Sequence, residues 1–128
     1  MSNGDQLDEW TQIAETDFLA ARSHLRKPER YRYIVCFHAQ QSAEKYLKAI
    51  LVSKGVDFPK THDLLTLNHL LERHGVITGF ELKQLSNLSL YAVRARYPGD
   101  IMTLEEAKEA VETAKLVRKF SRKHLGLK

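Results

Sequence analysis

The chain is poor in cysteine: one thiol, Cys36, stands among 128 residues. A single thiol cannot form an internal disulfide and leaves no Cys cluster for a structural zinc site, so the expected compartment is reducing and the expected location cytoplasmic. Prolines and glycines are also few, three and six, and most fall between long segments of good helix formers. No useful stretch alternates apolar and polar residues as a strand would, and no internal repeat or low-complexity segment occurs. No run approaches the roughly 18 apolar residues a membrane span needs. The first residues, Met1 to Asp5, lack a basic segment followed by an apolar one, so no membrane partner is expected. The formal charge of +4 is too small to mark a protein that coats nucleic acid by neutralising phosphates. There is no glycine-rich phosphate loop and no nucleophilic triad. His69 and His74 are five apart, not at the i, i+4 spacing of a helical zinc pair, so neither a metal nor another cofactor is expected.

What is present is helical periodicity. At 43% hydrophobic and 28% charged the chain can bury a core as one domain over residues 1–128. A first helix is predicted from Asp5 to Arg26, with Leu7, Trp10, Ala14, Phe18, Ala21 and Leu25 at spacings of three and four, ended by Pro28. A second runs from Glu29 or Arg30 to Lys54 and closes at Gly55. Thr61 caps a short third, His62 to His74. Thr78-Gly79-Phe80-Glu81 fits a capping box opening a fourth, which ends near Arg96 before Pro98. Thr103-Leu104-Glu105-Glu106 repeats that pattern and opens the last, reaching Leu125. The expected fold is all-α, an antiparallel up-and-down bundle of four long helices plus one short helix. The last helix is acidic early and basic late, which suits its own backbone dipole and a solvated face.

Polar residues in unexpected places point to a site. Tyr33, Cys36, Ala39, Ala43, Tyr46, Leu47, Ile50 and Leu51 share one broad apolar arc of the second helix. The opposite arc carries His38, Gln41, Glu44, Lys45 and Lys48 interleaved with Ile34, Phe37 and Val52, so it too is expected to be covered. A cation under such cover needs a partner, either Glu44, His38 or an incoming phosphate. The plainer alternative is that Glu44 and Lys48 form a surface i, i+4 pair of small consequence. A second unusual segment, Tyr91 to Asp100, gathers Arg94, Arg96 and Tyr97, side chains suited to grip phosphate and stack on a base. The opposing reading is that these arginines satisfy terminal carbonyls of the helix. His62, beside Asp63, sits where helix capping alone explains short polar residues.

Three segments in order, Phe37-His38-Ala39-Gln40-Gln41-Ser42-Ala43-Glu44-Lys45-Tyr46-Leu47-Lys48-Ala49-Ile50-Leu51, Lys60-Thr61-His62-Asp63-Leu64 and Ala95-Arg96-Tyr97-Pro98, resemble the HEPN domain family. The resemblance implies a helical bundle that usually forms a homodimer, is often encoded beside a minimal nucleotidyltransferase, and binds nucleotides or serves as a component of toxin–antitoxin pairs. It also implies a groove lined by the polar stripe of the second helix and by Arg94, Arg96 and Tyr97. Many relatives are metal-independent ribonucleases marked by Arg, four to six residues, then His, near the start of the last long helix. Here Arg94 and Arg96 are followed by no histidine in that range. Arg32 to His38 and Arg118 to His124 have the spacing elsewhere, but about one such match arises by chance in a chain of this composition.

The leading expectation is therefore a binding module for a nucleotide phosphate or a partner nucleotidyltransferase, using His38, Gln41, Glu44, Lys45, Lys48, His62, Arg94, Arg96 and Tyr97. One alternative is a ribonuclease toxin in which His38 or His62 is acid or base and Arg94 or Arg96 the electrostatic partner. The other is a structural bundle whose polar stripe holds a homodimer through a buried ion network.

Overall fold

A computed structural model describes residues 3–94, 99 and 101–128, and the described residues contain helices and no strand. The helices are α1 (Asn3–His24), α2 (Pro28–Ser53), α3 (Leu64–Arg73), α4 (Leu82–Ser89), α5 (Tyr91–Arg94) and α6 (Leu104–His124). Three are long and three short, in place of the expected four long and one short.

Side-chain pairs give the helix directions. His24 packs edge-on against Tyr31, Asp17 bonds His38 and Lys45, and Glu15 bonds Tyr46. Partners rise along α2 as they fall along α1, so the two are antiparallel. Glu15 also meets Arg118, and Tyr46 meets Arg122, which sets α6 alongside both; with Cys36 near Glu106 at the other end, α6 runs parallel to α2. The pairs Phe80–Phe120 and Tyr91–Glu106 make the α4–α5 limb antiparallel to α6. α2 touches every other helix. Its residues Val35, Cys36, Ala39, Ala43, Tyr46, Leu47, Ile50 and Leu51 are buried among Phe18 of α1, Leu64, Leu67 and Leu71 of α3, Leu85 and Leu88 of α4, and Val111 and Val117 of α6. Each such large apolar side chain removed from water contributes roughly 1.5–3 kcal/mol. Tyr33, expected on that arc, stands at its rim instead, half exposed and stacked on Phe37.

The punctuation follows local chemistry. Gly55 and Gly75 adopt φ of +68° and +85°, and the next N–H groups, of Val56 and Val76, reach back to Leu51 O and Leu71 O; both helices thus end in a left-handed glycine turn. Thr103 opens α6 with a complete capping box: its hydroxyl accepts from Glu106 N (3.0 Å) and Glu106 Oε1 accepts from Thr103 N (2.9 Å).

Two expected starts shift. α3 begins at Leu64 because Asp63 is the cap, accepting from Leu65 N at 3.0 Å, while Thr61 Oγ1 accepts from Asp63 N within the approach. α4 begins at Leu82, not at Thr78. Gly79 has φ of +72°, which no helical turn accepts, and the Thr78 hydroxyl donates to Asn68 Oδ1 at 2.6 Å. That limb then breaks at Leu90, whose carbonyl accepts from Val93 and Arg94 to start the single turn of α5.

Candidate functional site

The site is built on the side of α2 between α1 and the α2–α3 connection. Glu44 and Lys48, one turn apart, are both buried. Lys48 Nζ donates to Glu44 Oε2 at 3.0 Å. The other oxygen, Oε1, accepts from His62 Nδ1 (2.8 Å) and Gln40 Nε2 (3.2 Å). Gln40 Nε2 also donates to the His62 carbonyl (3.0 Å), and its Oε1 accepts from Gln41 Nε2 (2.7 Å). The Lys48 ammonium lies 5.7 Å from the Trp10 ring centroid and 5.6 Å from that of Phe58, where ring quadrupoles favour a cation. The surface-pair alternative therefore fails: this is a buried, hydrogen-bonded ion pair that ties α2 to His62 in the approach to α3 and packs beneath α1. An open recess of about 570 Å³ lined by Trp10, Phe58, Val56, Asp57 and Gln6 lies beside it.

Along the same side, Asp17 of α1 binds two residues of α2. Its Oδ1 accepts from His38 Nδ1 at 2.9 Å and its Oδ2 from Lys45 Nζ at 2.8 Å. Because a carboxylate only accepts, both Asp17–His38 and Glu44–His62 place the imidazole proton on Nδ1. Nε2 of each ring makes no hydrogen bond among the described residues, and the His38 and His62 side chains are 33% and 53% exposed.

The other flank of α1 is stitched to α6. Glu15 takes a two-pronged grip from Arg118, Nε to Oε1 at 2.6 Å and Nη2 to Oε2 at 2.7 Å, and accepts from the Tyr46 hydroxyl at 2.6 Å. These donors, Arg118 foremost, hold the Glu15 carboxyl at about 2, well below its usual 4.5. Burial, then the carboxylate beside it, pushes the Tyr46 phenol up to about 12. At the α5 end, Glu106 accepts from Arg94 (2.5 Å) and from the Tyr91 hydroxyl (3.2 Å); Arg94 above all keeps that carboxyl below its usual range. Burial raises the Cys36 thiol to about 12, leaving it protonated and unreactive at neutral pH.

The predicted residues thus fall into three groups. Gln41, Glu44, Lys48 and His62 meet in one network, and His38 and Lys45 meet on Asp17. Arg94 lies apart, its guanidinium on the Glu106 carboxylate. Arg96 and Tyr97 lie outside the described residues. Reasoning from the sequence missed Asp17, Glu15 and Gln40. Asp17 carried a signal: it sits three residues after Ala14 and four before Ala21, on the apolar stripe of α1, where a carboxylate needs a partner. Gln40 likewise falls on the core spacing of Cys36, Ala43 and Leu47 and is wholly buried. Among the described residues no group of three or more His, Cys, Asp or Glu side chains is arranged to hold a metal ion, and no helix is long and apolar enough to cross a membrane.

No curated protein and no solved structure matches the chain. The HEPN domain model matches residues 7–124, nearly all of it and including every group described above; the chain belongs to the HEPN domain family.

Proposed function

We propose that this chain is a single-domain HEPN binding module, its α4–α5 limb completing the family's up-and-down bundle, that takes a nucleotide or RNA phosphate on the exposed edge of the α2 stripe. The observation that carries this reading is the pair of carboxylate-held histidines, His38 on Asp17 and His62 on Glu44, flanking Lys45 and Gln41. Holding Nδ1 fixes each ring, so that Nε2, when protonated, becomes an oriented cationic donor toward an anion. Lys45 and Gln41 supply the neighbouring donors. Lys48, its charge spent on Glu44, supports the floor without touching ligand, and Arg94, with Arg96 and Tyr97 from the same sequence segment, is proposed as a second ligand contact. Family membership supports a module concerned with nucleotides and RNA. The proposed protein partner is a minimal nucleotidyltransferase, and the proposed setting a cytoplasmic toxin–antitoxin pair.

The test is binding of a short labelled RNA and of free nucleotides at low salt. Lys45→Ala and His38→Gln each lower affinity about tenfold, and Lys45→Ala reduces the salt dependence, as loss of one phosphate contact must. Wild-type protein that binds neither RNA nor nucleotide, and retains no nucleotidyltransferase on co-expression, refutes the reading.

The same two dyads favour one second reading, metal-independent RNA cleavage. Nε2 of one histidine would take the 2′-hydroxyl proton and the other would return a proton to the leaving 5′-oxygen, with the Lys45 ammonium beside His38 facing the phosphorane charge in place of Arg94, which Glu106 holds apart. This predicts RNA cut in EDTA to a 2′,3′-cyclic phosphate, lost in both His38→Gln and His62→Gln; intact RNA removes it. The structural-homodimer alternative gains nothing from the ion network, which closes within one chain.

A further inference from the structure

The residues leading into α4 and the second half of α6 leave an open recess of about 480 Å³ between them, within the roughly 300–1,000 Å³ of small-molecule sites. Its apolar wall is Phe80 and Phe120, whose rings meet edge-on at 5.3 Å, with Leu116 one turn before Phe120 and 47% exposed. Both phenylalanines also pack against the core, and Phe120 stacks on His124 at 5.9 Å, so this wall is held in place from within. Lys119 and Lys123, exposed and one turn apart, line the recess from α6.

Neither lysine makes an ion pair among the described residues. Lys115, Lys119 and Lys123 follow one another at intervals of four, so their charges repel along the helix. The α6 dipole favours a base in the last turn, Arg122 to His124, but Lys119 lies before it. Lysine stems lying flat over the two rings would fill this space, yet it stays open with both side chains on its wall. These parts determine what the recess accepts. Burial against Phe80, Leu116 and Phe120 favours a hydrocarbon, and the charge attached to it must be negative, because a cation would be repelled by two uncompensated ammonium groups. Glu81 and Gln84 line both this recess and a neighbouring one of about 380 Å³ along the α4–α6 seam. Glu81 therefore stands where the two join, and its carboxylate disfavours a ligand carrying several negative charges.

We propose that the α4–α6 recess is a binding site for a small apolar monocarboxylate, its hydrocarbon part against Phe80, Leu116 and Phe120 and its carboxylate between the Lys119 and Lys123 ammonium groups. Each lysine offers a compact charge on a flexible stem, which can follow a carboxylate without a fixed fork geometry. The recess shares no lining residue with the α2 site, so this proposal goes beyond the phosphate reading and stands apart from it.

Calorimetric titration of the wild-type protein with octanoate tests it, repeated with 1-octanol and with adenosine monophosphate. Octanoate is expected to bind, more weakly as ionic strength rises, and 1-octanol, which has the chain without the charge, about tenfold more weakly than octanoate. Lys119→Ala/Lys123→Ala removes both charges at exposed positions, and Leu116→Ser removes the exposed part of the apolar wall. Each lowers octanoate affinity about tenfold, with helical content unchanged by circular dichroism. Lys45→Ala, on the α2 stripe, leaves octanoate binding as it is, so the two sites stand or fail separately. No octanoate binding, equal affinity for 1-octanol, a double-lysine variant that binds as the wild type does, or displacement of octanoate by adenosine monophosphate overturns the proposal.

Discussion

Lys48 shows most directly how burial changes the meaning of a residue. On sequence spacing alone, Glu44 and Lys48 are a helical pair worth a few tenths of a kcal/mol. With both side chains under cover, the cost of removing either partner is set by the charge left behind. Lys48→Met should lower stability by about 3 kcal/mol, or the melting temperature by roughly 10 °C for a domain of this length. The double variant Glu44→Gln/Lys48→Met should recover most of that loss, since no bare charge is then buried. Urea unfolding of the three variants checks both statements, and additivity of the two single losses would show that the pair is not coupled. The location of this residue was legible in part. The apolar neighbours Phe37 and Val52 signalled a covered face. That the cover comes from Trp10 and Phe58, 38 positions before and 10 after Lys48, was not, because nothing in local periodicity says which distant rings close over a given turn.

At the scale of helices, the two Thr-x-x-Glu patterns form an internal control. Thr103 makes both bonds of the capping box, whereas Thr78 makes none of it and donates to Asn68 instead. The difference lies in Gly79: with φ of +72° it carries the chain through a turn, and the helix waits for Leu82. Thr103→Ala should cost about 1 kcal/mol, as loss of a helix cap usually does. Thr78→Val should cost a similar amount through a different loss, leaving the amide of the buried Asn68 short of one partner. Amide exchange separates the two: protection should fall in the first turn of α6 for Thr103→Ala and be unchanged in the first turn of α4 for Thr78→Val. Helix identity and the glycine stops at Gly55 and Gly75 were readable from spacing. The length of the α4 limb was not, because a glycine in the second position of a capping pattern does not reveal which half of φ space it takes.

For the molecule as a whole, the carboxylates of Glu15 and Glu106 set the response to acid. Both have native pKa values below their ordinary ones, so the unfolded chain binds protons more readily than the folded one. Their contribution is complete above the unfolded value of 4.5 and is lost as the pH falls toward the native value of Glu15, about 2. Glu15 is about a quarter exposed, and after screening its share is on the order of 2 kcal/mol at neutral pH. Stability measured by urea titration should therefore decline steadily between about pH 5 and pH 2, and Glu15→Gln should be less stable at pH 7 yet show a shallower decline. An unchanged slope in that variant would place the acid sensitivity elsewhere.

The grip of Arg118 on Glu15 joins residues 103 apart in the chain, and α6 supplies Ala107, Ala110, Val111, Ala114 and Val117 to the core. During synthesis, Phe18 and the apolar side of α2 consequently have no lid until the last helix has cleared the ribosome. Assembly of this core must wait until α6 has emerged, and the chain synthesised before it is the form that chaperones would meet.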